Sequence, residues 1–184
     1  MGTDKALVEI DGAPLVAKVA KVISAVCGAV SLVGDPVRYG FLGLRVVPDT
    51  LSGLGPLAGI EAALGASLRE ANPPEANLIV ACDMPALSAG LLEAVFDALG
   101  DGDAAVPRHG DGTVEPLCAV YRGRCHAPLR EALESGVRGV TEALRLLEAR
   151  GFAIRYLRVA NDETFANLNT RGDLARFRER SIHG

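Results

Sequence analysis

Short apolar runs alternate along this chain with longer segments whose apolar residues recur every three or four positions. That alternation constrains the fold more than any other feature. The sharpest run is Asn77 to Ala81, bounded by Pro73-Pro74 before it and Asp83 after it. Ala29 to Val33, Leu44 to Val47, Ala104 to Val106, Leu117 to Tyr121 and Ile154 to Val159 are further strand candidates. Pro14 opens a helical pattern with Leu15, Val16, Val19, Val22, Ile23 and Val26 on one face. Pro56 opens another with Leu57, Ile60, Ala63, Leu64 and Leu68. Ser88 predicts an N-cap for Leu91 to Leu99, and helices are expected near Arg124 to Leu133 and Thr141 to Ala149. Continuous apolar strands separated by amphipathic helices predict a parallel sheet covered on both faces, an α/β sandwich. Thr170 with Asp173 forms a capping box for a last basic helix through Arg180.

Composition narrows what such a sheet can do. At 184 residues, with no repeat or linker, the expectation is one domain over 1–184. Three Tyr, five Phe and no Trp leave Val, Leu, Ile and Ala to build the core. A net charge of −4 excludes the basic face that a general grip on nucleic acid needs, but not a local site for one anionic nucleotide. Cys27, Cys82, Cys118 and Cys125 form no CxxC pair, which argues against a zinc site or a disulfide framework. Reduced, mostly buried thiols are expected, a state that suits the cytoplasm. No run is long enough to span a membrane, and the N-terminus lacks the pattern of a signal peptide.

In open α/β sheets, ligands sit beyond the carboxyl ends of the strands. Asp49 follows Val47 there, and Asp83 follows Ala81. Asp83 either binds Mg²⁺, which takes one or two carboxylates plus substrate phosphates, or caps the turn that follows. Lys5, beside the Gly2 turn, is either a phosphate contact or a solvated terminal lysine. Gly55 and Pro56 start a helix whose first amides either face an anion or serve as ordinary turn chemistry. The histidines His109, His126 and His183 are scattered, and Cys82 reads as a packed residue of the strand end.

Together these segments resemble a known family. Met1-Gly2-Thr3-Asp4-Lys5-Ala6-Leu7, Gly55-Pro56-Leu57-Ala58-Gly59, Cys82-Asp83-Met84-Pro85, Glu115-Pro116-Leu117 and Asn167-Leu168-Asn169-Thr170 are similar, in order, to motifs of the molybdenum cofactor guanylyltransferases. The resemblance implies a Rossmann-like nucleotidyltransferase fold, a three-layer sandwich with a mostly parallel sheet. It implies transfer of GMP from GTP to molybdopterin, with pyrophosphate released and Mg²⁺ as cofactor. Lys5 then matches a lysine on the GTP phosphates, Asp49 an acid contacting GTP, and Asp83 the acid that holds Mg²⁺ and nucleotide. Gly55 and Pro56 belong to the nucleotide-binding set, and Asn167 and Asn169 match asparagines near the pterin. Arg171 stands where that family usually has Pro. The family also carries a first strand and a Leu-Ala-Gly-Gly loop ahead of the lysine motif, so the natural polypeptide is expected to extend upstream of Met1.

The mechanism expected is in-line attack on the α-phosphorus of GTP, which asks the protein for positioning and charge neutralisation rather than a nucleophile. Two alternatives stand beside it. One is a cytidylyltransferase or other NTP transferase of the same fold, and the other a non-catalytic nucleotide-binding module. A dinucleotide-dependent oxidoreductase is disfavoured because no GxGxxG follows a strand.

Overall fold

The computed structural model describes residues 4–49, 51, 53–160 and 163–165. Helix starts fall where Pro and Ser mark them. Helix α1 (Leu15–Cys27) begins directly after Pro14 and ends at Gly28, whose φ of 75° lets its N–H reach the Ser24 carbonyl. Helix α3 (Pro56–Leu68) has Pro56 in its first turn, and in α4 (Ala89–Leu99) the Ser88 hydroxyl accepts from the Leu91 N–H at 3.3 Å. Between them, the Gly34-Asp35-Pro36 turn runs on into one helical turn, α2 (Pro36–Tyr39), because the Asp35 side chain caps the Val37 N–H at 2.9 Å. The pair α5 (His126–Glu134) and α6 (Val140–Ala149) completes the helices among the described residues. The helix expected from Thr170 lies outside the described residues.

The strands are β1 (Glu9–Ile10), β2 (Ala13–Pro14), β3 (Ser31–Gly34), β4 (Arg45–Pro48), β5 (Ala76–Val80), β6 (Ala104–Arg108), β7 (Cys118–Arg122) and β8 (Ile154–Arg158). The small β1–β2 hairpin is an addition to the sequence reading. Asp11 and Gly12 both have positive φ, 50° and 78°, the two-residue turn that an Asp-Gly pair favours.

Strands β3 and β4 pair in parallel, and so do β6 and β8. Strand β7 departs from the expected parallel pattern: it runs antiparallel to both β5 and β6, in the order β5-β7-β6-β8. Only residues 109–117 join β6 to β7, too few for a crossover, and His109 N–H donates to the Thr113 carbonyl at 2.8 Å to turn the chain back.

Alternate residues of the four-stranded sheet face opposite layers, as a strand's period of two requires. Ala104, Val106, Ala119 and Tyr121 pack with α3, α5 and α6, whereas Ala105, Cys118 and Val120 pack on the side of α1 and α4. Three layers result, built on aliphatic side chains. Tyr121, wholly buried, donates its hydroxyl proton to the Pro116 carbonyl at 2.8 Å, which satisfies the polar end of the ring.

Two features correct the sequence reading. Strand β5 is half-buried at every position, although its run reads as fully covered. Among the described residues β5 pairs only with β7 and β3 only with β4, while α3 touches β3, β4 and β5 alike. Each therefore keeps one free edge, and water reaches β5 there. The four thiols are free as expected, and Cys118 and Cys125 are buried. Cys82 is half-buried and Cys27, at the end of α1, is exposed.

Candidate functional site

Strand β7 is antiparallel to both β5 and β6, so β5 and β6 run the same way and β8 follows β6. Their carboxyl ends, with the start of β7, lie at one end of the sheet. Val80 is in register with Cys118, and the Ala81 N–H donates to the Leu117 carbonyl at 2.7 Å. Cys82 and Asp83 come next, where the strand has ended and Met84 turns inward among Leu87, Leu92 and Phe165.

Lys5 and Asp83 both lie within electrostatic reach of Cys82 at this end. Burial above all pushes the Cys82 thiol up to about 11; the Asp83 and Asp4 carboxylates raise it further and Lys5 opposes them. Asp83, Asp4 and Lys5 thus all act on Cys82, which stays a protonated, unreactive thiol at neutral pH. Lys5 opens the single 3-10 turn Lys5–Leu7, which Asp4 caps through the Ala6 N–H at 3.1 Å.

Asp4 is the functional neighbour that sequence reasoning missed. Its second oxygen accepts from the Tyr39 hydroxyl at 2.7 Å and from Arg38 Nε at 2.7 Å. Burial first, then the Asp4 hydrogen bond, pushes the Tyr39 phenol up to about 12, so it remains a donor at neutral pH. Gly34 makes room for that ring, since a Cβ there would lie 2.8 Å from the ring edge. The contacts tie the Lys5 turn to α2 across 35 positions of sequence, a separation no local spacing rule detects.

Asp49, Gly55 and Pro56 form a second group, at the connection from β4 to α3. The Asp49 carboxylate accepts from the Leu51 N–H at 3.1 Å. Gly55 takes φ 84° and ψ −173°, a conformation open in practice only to glycine, and hands the chain to Pro56. Asn167 and Asn169 lie outside the described residues.

An open polar depression lies at the other end of the sheet, lined by Glu75, Asp101, Arg122, Gly123 and Arg124. Its charges are already matched: Arg122 pairs with Glu75, Arg124 with Asp103 and Arg155 with Asp101. The carboxyl end is different. There, among the described residues, the Asp83 carboxylate accepts no hydrogen bond and makes no ion pair. No three acids, histidines or cysteines converge as a self-sufficient metal cage among the described residues. A lone carboxylate beside a lysine instead fits an ion shared with substrate phosphates.

Residues 1–150 match the MobA-like NTP transferase domain. A probable molybdenum cofactor guanylyltransferase of Pelotomaculum thermopropionicum is 37% identical over 182 residues, which cover 97% of this chain and 85% of the relative. The molybdenum cofactor guanylyltransferase of Rhodobacter capsulatus is 37% identical over 187 residues, 98% of this chain and 89% of that one. The crystal structure of molybdopterin-guanine dinucleotide biosynthesis protein A from Archaeoglobus fulgidus superposes with a TM-score of 0.78 at 25% identity, over 100% of this chain and 93% of that chain. The chain belongs to the MobA-like NTP transferase family. It is a nucleotidyltransferase.

Proposed function

We propose that this protein transfers GMP from GTP to the terminal phosphate of molybdopterin, forming the guanine dinucleotide form of the cofactor. The observation that carries the reading is the Asp83 carboxylate, without a partner among the described residues and acting with Lys5 on Cys82 at the carboxyl end of β5, in a chain whose relatives bear that activity's name. The acceptor phosphate oxygen attacks the α-phosphorus of GTP in line. One P–O bond forms, the bond to the β-phosphate breaks, and pyrophosphate leaves with the electron pair. Lys5 holds the β- and γ-phosphates as a point charge. Asp49 and the first amides of α3, presented by Gly55 and Pro56, contact the nucleotide, and Asn167 and Asn169 the pterin side. Asp83 holds a divalent cation, which we take to be Mg²⁺, and that ion supplies charge neutralisation for the triphosphate when bound. Cys82 takes no part, since its proton is held well above neutral pH.

A ligand bound only by the native state raises the melting midpoint by mass action. GTP with Mg²⁺ is expected to protect this protein more than ATP or CTP at equal concentration, measured by differential scanning fluorimetry. Equal protection by all three overturns the guanylyl assignment, and a larger shift with CTP selects a cytidylyltransferase.

A further inference from the structure

One pair of side chains at the carboxyl end takes no part in the chemistry described above. His109 follows β6 and Glu115 precedes β7, and His109 Nε2 lies 2.9 Å from Glu115 Oε1. The histidine side chain is only 10% exposed and the glutamate 27%, so the pair has a sealed side and an open side. A carboxylate only accepts, so Nε2 is the donor in this contact. Phe165 meets the ring edge-on, centroids 5.1 Å apart and planes at 83°, which stops the imidazole from turning. The Glu115 N–H donates to the Pro107 carbonyl at 2.9 Å, pinning the backbone as well. Nothing in the fold asks for this rigidity, because the loop from His109 to Thr113 is already closed by its own backbone bonds.

The pair stands on the same wall as Asp83. Leu117 is bonded to Ala81, which puts Glu115 and Asp83 each two residues beyond that bonded pair. Cys118 and Phe165 pack in one cluster with Met84, the residue after Asp83. The Glu115 charge reaches this cluster, where it adds to burial in pushing the Cys118 thiol up to about 12. A partly exposed carboxylate held by a histidine is an acceptor for two adjacent N–H donors. Both substrates of the function proposed above contain such an edge. The ring amide and 2-amino group of a 2-amino-4-oxopyrimidine occur in guanine and in pterin alike.

We propose that Glu115 is a substrate-binding carboxylate that takes the amino-pyrimidinone edge of guanine or pterin, and that His109 is its positioning residue. The inference rests on the guanylyltransferase reading, and the test separates the two. Calorimetric affinities are measured for GTP against ITP, which lacks the 2-amino group, and for 6-carboxypterin against 6-carboxylumazine, which carries oxygen in its place. If Glu115 grips guanine, Glu115→Ala and Glu115→Gln lose about tenfold or more in GTP affinity and no longer distinguish GTP from ITP. If it grips pterin, the same loss falls on the pterin pair and leaves GTP untouched. Either pattern supports the proposal. His109→Ala should reproduce it, whereas His109→Gln, whose amide nitrogen lies near the position of Nε2, should restore it. Affinities within twofold of wild type for both pairs, in variants that melt normally, overturn the proposal and leave the guanylyltransferase reading standing. A wild-type protein that binds neither GTP nor the pterin overturns both.

Discussion

Asp4, Asp49 and Asp83 all lie near the carboxyl ends of strands or the lysine turn, yet they differ in what already holds them. Asp4 is saturated by Ala6, Tyr39 and Arg38, and Asp49 closes a turn onto Leu51. Asp83 alone of the three keeps its lone pairs for an outside partner among the described residues. Asp83→Asn should therefore leave the melting midpoint almost unchanged, since no bond to the described residues is lost. Turnover should fall on the order of 10²-fold or more, because the substituted amide holds a divalent cation poorly and the transition-state charge loses its counter-ion. Turnover within about threefold of wild type, measured as pyrophosphate release, would count against the metal-holding role. Asp83 was legible from its place at the end of an apolar run. Asp4 was not, since its engagement depends on Tyr39 and Arg38 arriving from another element.

Helices α3 and α5 meet through a charge, unusually for two helices that otherwise pack on Leu57, Ile60, Leu64, Leu129 and Leu133. Glu61, only 5% exposed, has Oε1 at 2.9 Å from His126 Nε2 and 3.4 Å from Arg130 Nη1. Gly65, one turn further along α3, leaves the histidine its place, since a Cβ there would sit 2.8 Å from Nε2. Glu61 stands beside the apolar stripe of α3, and its partner lies 65 positions away, beyond any helical spacing rule. Removing Glu61 takes away the carboxylate that accepts from His126 and Arg130 between the two helices. Glu61→Ala is expected to cost about 2 kcal/mol in urea unfolding with the slope unchanged. A cost below about 1 kcal/mol would show that the helices are held by their aliphatic contacts alone.

Across the molecule the sheets divide between strands with neighbours on both sides and strands with one. Strands β6 and β7 are flanked on both edges, whereas β3 and β5 each keep an unpaired edge among the described residues, spanned only by α3. Backbone amides open locally where hydrogen bonds are few and water is near. Native-state hydrogen exchange should therefore find the slowest amides in β6 and β7. Those of β3, and the β5 amides not bonded to β7, should exchange by a lower-energy opening. Equal protection throughout would mean that the two sheets behave as one cooperative unit. An extended segment seated between β3 and β5 would produce that result.

Much of the architecture follows from local chemistry. The helix starts at Pro56 and Ser88, the apolar runs that become β4, β5 and β8, and the carboxylate delivered at Asp83 all express preferences of neighbouring residues. Lys5, Gly55 and Asp83 could be singled out for the same reason, since each is marked by the chain around it. The reversal of β7, the free edge of β5, the clamp of Tyr39 and Arg38 on Asp4, and the His109–Glu115 pair were decided only in three dimensions. Sequence patterns carry the period of an element and the signals at its ends. The choice of neighbour is made by packing between elements brought together in space, from the six positions that separate His109 and Glu115 to the 65 that separate Glu61 and His126, through side chains whose meeting no local periodicity encodes.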